Sequence, residues 1–293
     1  MAKKKNRITD KLKEMQDNIT FSEGYEEGEN YIPDIMEFCY SSEYLNFSAR
    51  GIILKPFQQI MLKAFYRGTK GNENIELATE EVELCKKHGL DIEDRGNFLQ
   101  KYLTDDIFRE LVLVWGRRSG KDFCASIIAS YEALRLLECD GGNPHAIYGR
   151  AESIPISVLT VATADPQAQI AFLEIKDKIL NSNYFKDKII GDGIESKKIF
   201  LLTPHDKKKN RKYKEEGLPL VKGSVVVEVG HSNSDSLLGK GVFVLILDEV
   251  ASYKMTGSSS SGERIYTALS PSLNTFGRDV PVLDAKGRQK LNE

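Results

Sequence analysis

The sequence predicts an α/β fold, a doubly wound and mainly parallel sheet, on three observations. Apolar, β-branched runs alternate with stretches whose apolar residues recur at helical spacing. One run leads into a glycine-containing turn and then a helix. Another run ends in two adjacent carboxylates, Asp248 and Glu249. Ligands bind at the carboxyl ends of strands in such sheets, and both features fall at a strand's carboxyl end.

The elements follow in order. Residues 1–50 read as a polar, helical extension, with an amphipathic stretch at Thr9–Asp17 and turn signals at Gly24 and Gly28. Pro56 suits the first turn of a helix, and Ile60, Met61, Ala64 and Phe65 continue it to Tyr66. The rest, 51–293, reads as one domain with a charged helical insert at 67–110, whose surface helices fall at Thr79–His88 and near Asn97–Leu103. Glu110–Trp115 is short, apolar and β-branched, which predicts a buried strand. Gly116–Asp122 is the turn after it. Phe123–Glu138 repeats Ala125, Ile128, Ala129, Ala133, Leu136 and Leu137 at helical spacing. A strand at Ile156–Ala162 and a helix from Pro166 to Leu180 come next. Lys198–Leu202 and Ser224–Val229 are β-like, joined by a strongly basic connection with Lys207, Lys208, Lys209, Arg211, Lys212 and Lys214. Val242–Leu247 is a third buried strand. A Ser/Gly loop at Ser258–Gly262 then precedes a helix near Arg264–Leu269.

Composition narrows the class. The 293 residues carry 41 Lys+Arg against 43 Asp+Glu, a formal charge of −2. That excludes coating of nucleic acid by bulk attraction and leaves room for a local basic patch. With 41% hydrophobic residues the chain has the material for a sizeable core. Its longest apolar runs fall far short of the roughly 20 residues of a membrane span. The basic N-terminus lacks the apolar stretch of a secretory signal. Cys39, Cys85, Cys124 and Cys139 form no C-x-x-C pair and do not cluster with His, so they read as free thiols rather than disulfides or a zinc site.

Two motifs carry chemistry. Trp115-Gly116-Arg117-Arg118-Ser119-Gly120-Lys121-Asp122 is a degenerate phosphate loop: Trp115 replaces the first glycine and Asp122 the final Ser/Thr. Gly120 permits a tight turn that aims backbone N–H groups at phosphate oxygens, and the helix N-terminus favours anions. Gly116, Arg118 and Ser119 complete the cradle, and Lys121 reaches the β- and γ-phosphates. Asp122 stands where a hydroxyl helps to hold Mg²⁺, and its carboxylate is itself a hard oxygen ligand. Val242–Leu247 followed by Asp248-Glu249 matches the second nucleotide motif of additional-strand, RecA-like phosphate-loop ATPases. Asp248 would fix Mg²⁺ and Glu249 would polarise the attacking water as general base. Arg117 can stabilise charge on the γ-phosphate.

Together these stretches resemble the ATPase domain of the large terminase subunit of tailed bacteriophages. The resemblance rests on Lys55-Pro-Phe-Gln-Gln59, the loop at Val114–Lys121, Thr160–Phe172, and Leu238-Gly-Lys-Gly through Asp248-Glu-Val-Ala251; Arg264–Leu269 and Ser270-Pro-Ser-Leu273 extend it. It implies ATP and Mg²⁺ as cofactors, Gln58 rather than Gln59 as the adenine-recognising glutamine, and Arg117 as a cis finger. It implies a motor that translocates double-stranded DNA into a procapsid in the host cytoplasm. Its partners would be a portal protein, a small terminase subunit and identical subunits in a ring. The chain departs from the pattern at Asp122. It also offers Lys240, unable to make a bidentate phosphate contact, where an arginine often acts on the neighbour's ATP. It ends before the family's last strands and nuclease domain, so no nuclease activity is expected. Two other readings stand beside this one, a helicase-like ATPase and a nucleotide-binding fragment without turnover. The Lys207–Lys214 connection reads either as a loop on DNA phosphates or as a solvated hairpin.

Overall fold

A computed structural model describes residues 31–276 apart from 96, 105–106, 117, 232–238, 254 and 257–258. The stretch at Thr9–Asp17 lies outside the described residues. From Ile32 onward, however, the supposed extension is part of the main core. Helix α1, Ile35–Tyr40, is capped by Asp34, whose carboxylate accepts the Met36 and Glu37 N–H groups at 2.8 Å each. It buries Ile35, Phe38 and Cys39, and Phe38 packs against Tyr131.

Helix α2, Pro56–Tyr66, starts on its proline as the sequence predicts. The insert forms α3, Thr79–Lys87, and α4, Phe98–Thr104. Both pack over α2 through a small cluster of Ile60, Cys85 and Leu99, with Phe57 against its edge. Helix α5, Lys121–Leu137, is the central rod of the molecule. Nearly every residue from Cys124 to Leu137 is buried, so it is enclosed around its whole circumference, with Ser126, Ser130 and Glu132 buried among its apolar residues. Beyond its end, Gly142 (φ +61°) lies so close to Pro204 that a Cβ there would fall 2.7 Å from the proline ring. The one-turn helix α6, Pro144–Ile147, follows.

The sheet has four strands: β1, Ile156–Ala162; β2, Lys198–Leu201; β3, Val225–His231; and β4, Gly241–Leu247. Their order is β2-β3-β1-β4. Strand β1 is parallel to both neighbours: it pairs with β3 from Ile156↔Val225 to Ala162↔His231, and with β4 from Ile156↔Gly241 to Val161↔Leu247, with a bulge at Phe243 that shifts the register between Ser157 and Val158. Strand β2 is antiparallel to β3. Every residue of β1 is buried, as expected of a central strand covered on both faces. Helix α7, Asp165–Asn181, packs with α5 on one face. Helix α9, Ser261–Phe276, covers the other through Ile265 and Leu269 against Leu159, Val161 and Val242. A short ribbon, β5 (Met255–Thr256) with β6 (Ser259–Ser260), precedes α9.

Two sequence expectations need correction. The run Glu110–Trp115 joins no ladder: residues 107–116 carry no regular structure. Leu111, Leu113 and Trp115 lean on the core, whereas Val112 and Val114 are 81% and 92% exposed. The alternation is that of a half-buried strand, but among the described residues no neighbour supplies ladder hydrogen bonds to it, and β4 is the edge strand on that side of the sheet. The basic connection is not a loop or hairpin but helix α8, Pro204–Glu215. Thr203 and Asp206 cap it reciprocally: Thr203 Oγ1 accepts the Asp206 N–H at 3.0 Å, and Asp206 Oδ2 accepts the Thr203 N–H at 2.9 Å.

Candidate functional site

The carboxyl ends of β1, β3 and β4 lie together, and the start of α5 joins them there. Gly120, the residue before α5, has φ +85° and ψ 33°, a left-handed turn that glycine adopts freely. Space also dictates glycine, because a Cβ at this position would fall 2.7 Å from Gln58 Nε2. Arg118 is left-handed too, with φ +62°. For a residue with a Cβ that conformation is strained, and such strain gathers at ligand clamps. Arg117 lies outside the described residues, and Gly116 is exposed.

Gln58 lies directly beneath this turn, 6% exposed. Its Oε1 accepts the Lys55 N–H at 2.8 Å, and its Nε2 donates to the Ser119 carbonyl at 3.2 Å. The amide therefore ties the first turn of α2 to the backbone of the phosphate loop. An adenine reading by Gln58 would compete with these bonds. The Ser119 hydroxyl is buried with no hydrogen-bond partner among the described residues. Lys121 makes no salt bridge among them. An orphaned hydroxyl, an uncommitted ammonium and a helix N-terminus in one turn suit a phosphate group.

The acidic pair closes the site from β4. The Asp248 N–H donates to the Val161 carbonyl at 2.9 Å, extending the ladder past Leu247. The Tyr253 hydroxyl donates to the same carbonyl at 2.7 Å, so the chain after β4 is stapled to β1. Burial pushes the Tyr253 hydroxyl's pKa well up. Nothing in the sequence singled out Tyr253, because a tyrosine five residues past an acid has no signature. Glu249 is left-handed, φ 50° and ψ 45°, and exposed at the mouth of the turn. Burial raises the Asp248 carboxyl above its ordinary range; the Asp122 and Glu249 carboxylates raise it further, and Lys121 opposes them. Asp122, Asp248 and Glu249 thus crowd negative charge around a single lysine, an arrangement that a divalent cation relieves. No cluster of three or more His, Cys, Asp or Glu at metal-binding distance occurs among the described residues. Mg²⁺ usually takes one or two protein carboxylates and fills its shell with phosphate and water, and Asp248 with Asp122 beside it could supply them.

Lys240 is placed elsewhere. It precedes β4 at the opposite end from Asp248, roughly 25 Å away along the strand. It donates to the buried Glu228 at 2.5 Å, and the Ser157 hydroxyl donates to the same carboxylate.

A family model described as the N-terminal P-loop domain of the uncharacterized protein MJ0330 matches residues 8–283. The chain belongs to this P-loop family. No curated protein and no solved structure shows a significant match. Membership agrees with the α/β layers and makes this a nucleotide-binding P-loop domain. Its first matched residue, 8, precedes the boundary at residue 50 that composition suggested.

Proposed function

We propose that this P-loop domain is the ATP-hydrolysing motor of a DNA-packaging terminase, coupling Mg-ATP hydrolysis to translocation of double-stranded DNA. The observation that carries the hydrolytic part is the meeting of Lys121, at the start of α5, with the Asp248-Glu249 turn at the end of β4. Lys121 holds the terminal phosphates, with the Ser119 hydroxyl and the N–H groups after Gly120 beside it. Asp248 and Asp122 face the metal position, where Mg²⁺ would neutralise charge on the phosphates. Glu249 orients and polarises water as general base. Arg117 is the cis arginine of this scheme. The packaging part rests on the sequence resemblance. It brings with it a ring of identical subunits, a portal, a small terminase partner and work in the host cytoplasm. Among the described residues no helix is long and apolar enough to cross a membrane.

A second reading, nucleotide binding without turnover, draws support from the bare edge of β4 and the unladdered segment before the loop. Mg²⁺-dependent ATP hydrolysis, measured with and without duplex DNA, separates the two. Turnover that DNA stimulates and that Lys121→Ala and Glu249→Ala both abolish supports the motor. ATP binding that needs Lys121 but yields no phosphate supports the second reading. Binding indifferent to Lys121 overturns both.

A further inference from the structure

We infer that the outward face of α8, carrying Lys208, Arg211 and Lys212, is a docking surface for the phosphate backbone of duplex DNA. The choice of DNA rests on the packaging reading; the surface itself rests on how the helix is mounted. Its inner face is polar yet buried. Asp206 accepts the Ser224 N–H at 2.8 Å and the Ser224 hydroxyl at 2.6 Å. The Asn210 side chain bonds both the N–H and the carbonyl of Val221, at 2.8 and 3.0 Å. The flanks are tied down as well: Lys207 pairs with Asp187, and Lys209 pairs with Glu152 at 3.0 Å.

These contacts sort the basic residues. Lys207 and Lys209 are spent on acids that would otherwise repel a polyanion. Lys208 and Arg211 are exposed and make no salt bridge among the described residues. Lys212 has only Glu216, at 3.8 Å. Positions 208, 211 and 212 follow helical spacing, so three cations share one arc of a rigid helix opposite Asp206 and Asn210. Glu215 is the one acid on that arc. The helix holds six Lys or Arg against two acids, in a chain whose formal charge is −2. Its outer arc offers no apolar residue to bury in a lipid surface, which an interfacial helix needs. A polyanion read by charge alone is the matching partner.

The patch is also remote from the nucleotide. Strand β2 ends where Leu201 pairs with Val225, the amino end of β3, so α8 sits at the pole opposite the phosphate loop. DNA binding and nucleotide binding should therefore separate by mutation.

The test is fluorescence anisotropy of a labelled duplex across a salt series, for the whole chain and for Lys208→Ala/Arg211→Ala/Lys212→Ala. Each lost phosphate contact lowers the salt slope by about 0.9. The triple variant should lose at least about 10-fold in affinity and about 2 to 3 in slope, while binding a fluorescent ATP analogue like the parent. An unchanged duplex affinity and slope would overturn the inference, as would a parent that binds no duplex. So would a triple variant that keeps duplex affinity but no longer binds phosphatidylserine vesicles. Loss of ATP-analogue binding in Lys121→Ala, with duplex binding retained, upholds the surface independently of the hydrolytic reading. Absence of Lys121-dependent ATP binding in the parent strikes both nucleotide readings and leaves the surface to the duplex titration.

Discussion

Gly120→Ala tests the geometry of the phosphate loop at its tightest point. Two effects act together. An alanine at φ +85° carries the left-handed penalty of about 1–2 kcal/mol. Its Cβ would also fall 2.7 Å from Gln58 Nε2, so the amide must move. A long side chain normally escapes such a clash cheaply, but this one is buried and bonded at both ends, to the Lys55 N–H and the Ser119 carbonyl. Losing one of those bonds adds about 1 kcal/mol. The expected sum is about 2–3 kcal/mol, read as a fall in the urea midpoint at unchanged m. Gln58→Ala removes the obstacle. Measured against Gln58→Ala, the Gly120→Ala/Gln58→Ala chain should pay only the backbone penalty, so the two changes should be non-additive by about 1 kcal/mol. Nucleotide affinity should fall in Gly120→Ala and recover in part in the double variant. A Gly120→Ala chain within about 0.5 kcal/mol of the parent, or strict additivity with Gln58→Ala, would refute the coupling of loop and amide.

Three further outcomes follow from contacts around the site and sheet. Because the Asp248 carboxyl is raised on folding, its stability contribution is present below the ordinary carboxylate range and is lost as pH rises through the raised value. Without Mg²⁺ and nucleotide, Asp248→Asn should therefore melt higher than the parent at neutral pH, and the gap should close as pH falls below the ordinary range; a pH series of melting curves decides. Tyr253→Phe deletes the 2.7 Å bond to Val161 and should cost about 1 kcal/mol in urea titration, with a fall in ATP turnover at unchanged nucleotide affinity. Lys240→Ala leaves the buried Glu228 without its close ammonium and should cost about 3 kcal/mol in the same titration, with Glu228→Gln restoring most of it; rescue is the outcome that a direct role on a neighbour's ATP would not give.

Much of the scaffold was legible because burial and period agree. Strands β1 and β4 are apolar where they face a neighbour, and α5 is apolar along most of its length, with Ser126, Ser130 and Glu132 buried as exceptions. Legibility failed where polar atoms bear the packing. The inner face of α8 consists of Asp206 and Asn210, so its period is invisible to any reading of hydrophobic spacing, and the lysines around it look like a loop. The Glu110–Trp115 run failed for the opposite reason. Its composition specifies a strand, but strandhood needs a partner edge, and composition cannot provide one. Lys121 and the Asp248-Glu249 pair stood out in the sequence at a strand–turn–helix junction and a strand end, and the fold sets them near each other. The brace from Gln58 to Ser119 spans 61 positions, and the hydroxyl of Tyr253 reaches back 92 to Val161, so neither leaves a local trace.

The enclosure of α5 has a mechanical consequence. A helix of 17 residues is about 25 Å long, and this one is gripped along its length by close-packed neighbours of low compressibility. It resists bending the way a rod in a sleeve does. A helix held this way would pass an axial displacement at Lys121 to its far end rather than absorb it by bending. There Glu138 receives the Tyr184 hydroxyl at 2.6 Å, and Gly142 stands against Pro204, the first residue of the basic helix. The glycine turn at one end of α5 and the start of the basic helix near the other are thus joined by one stiff element.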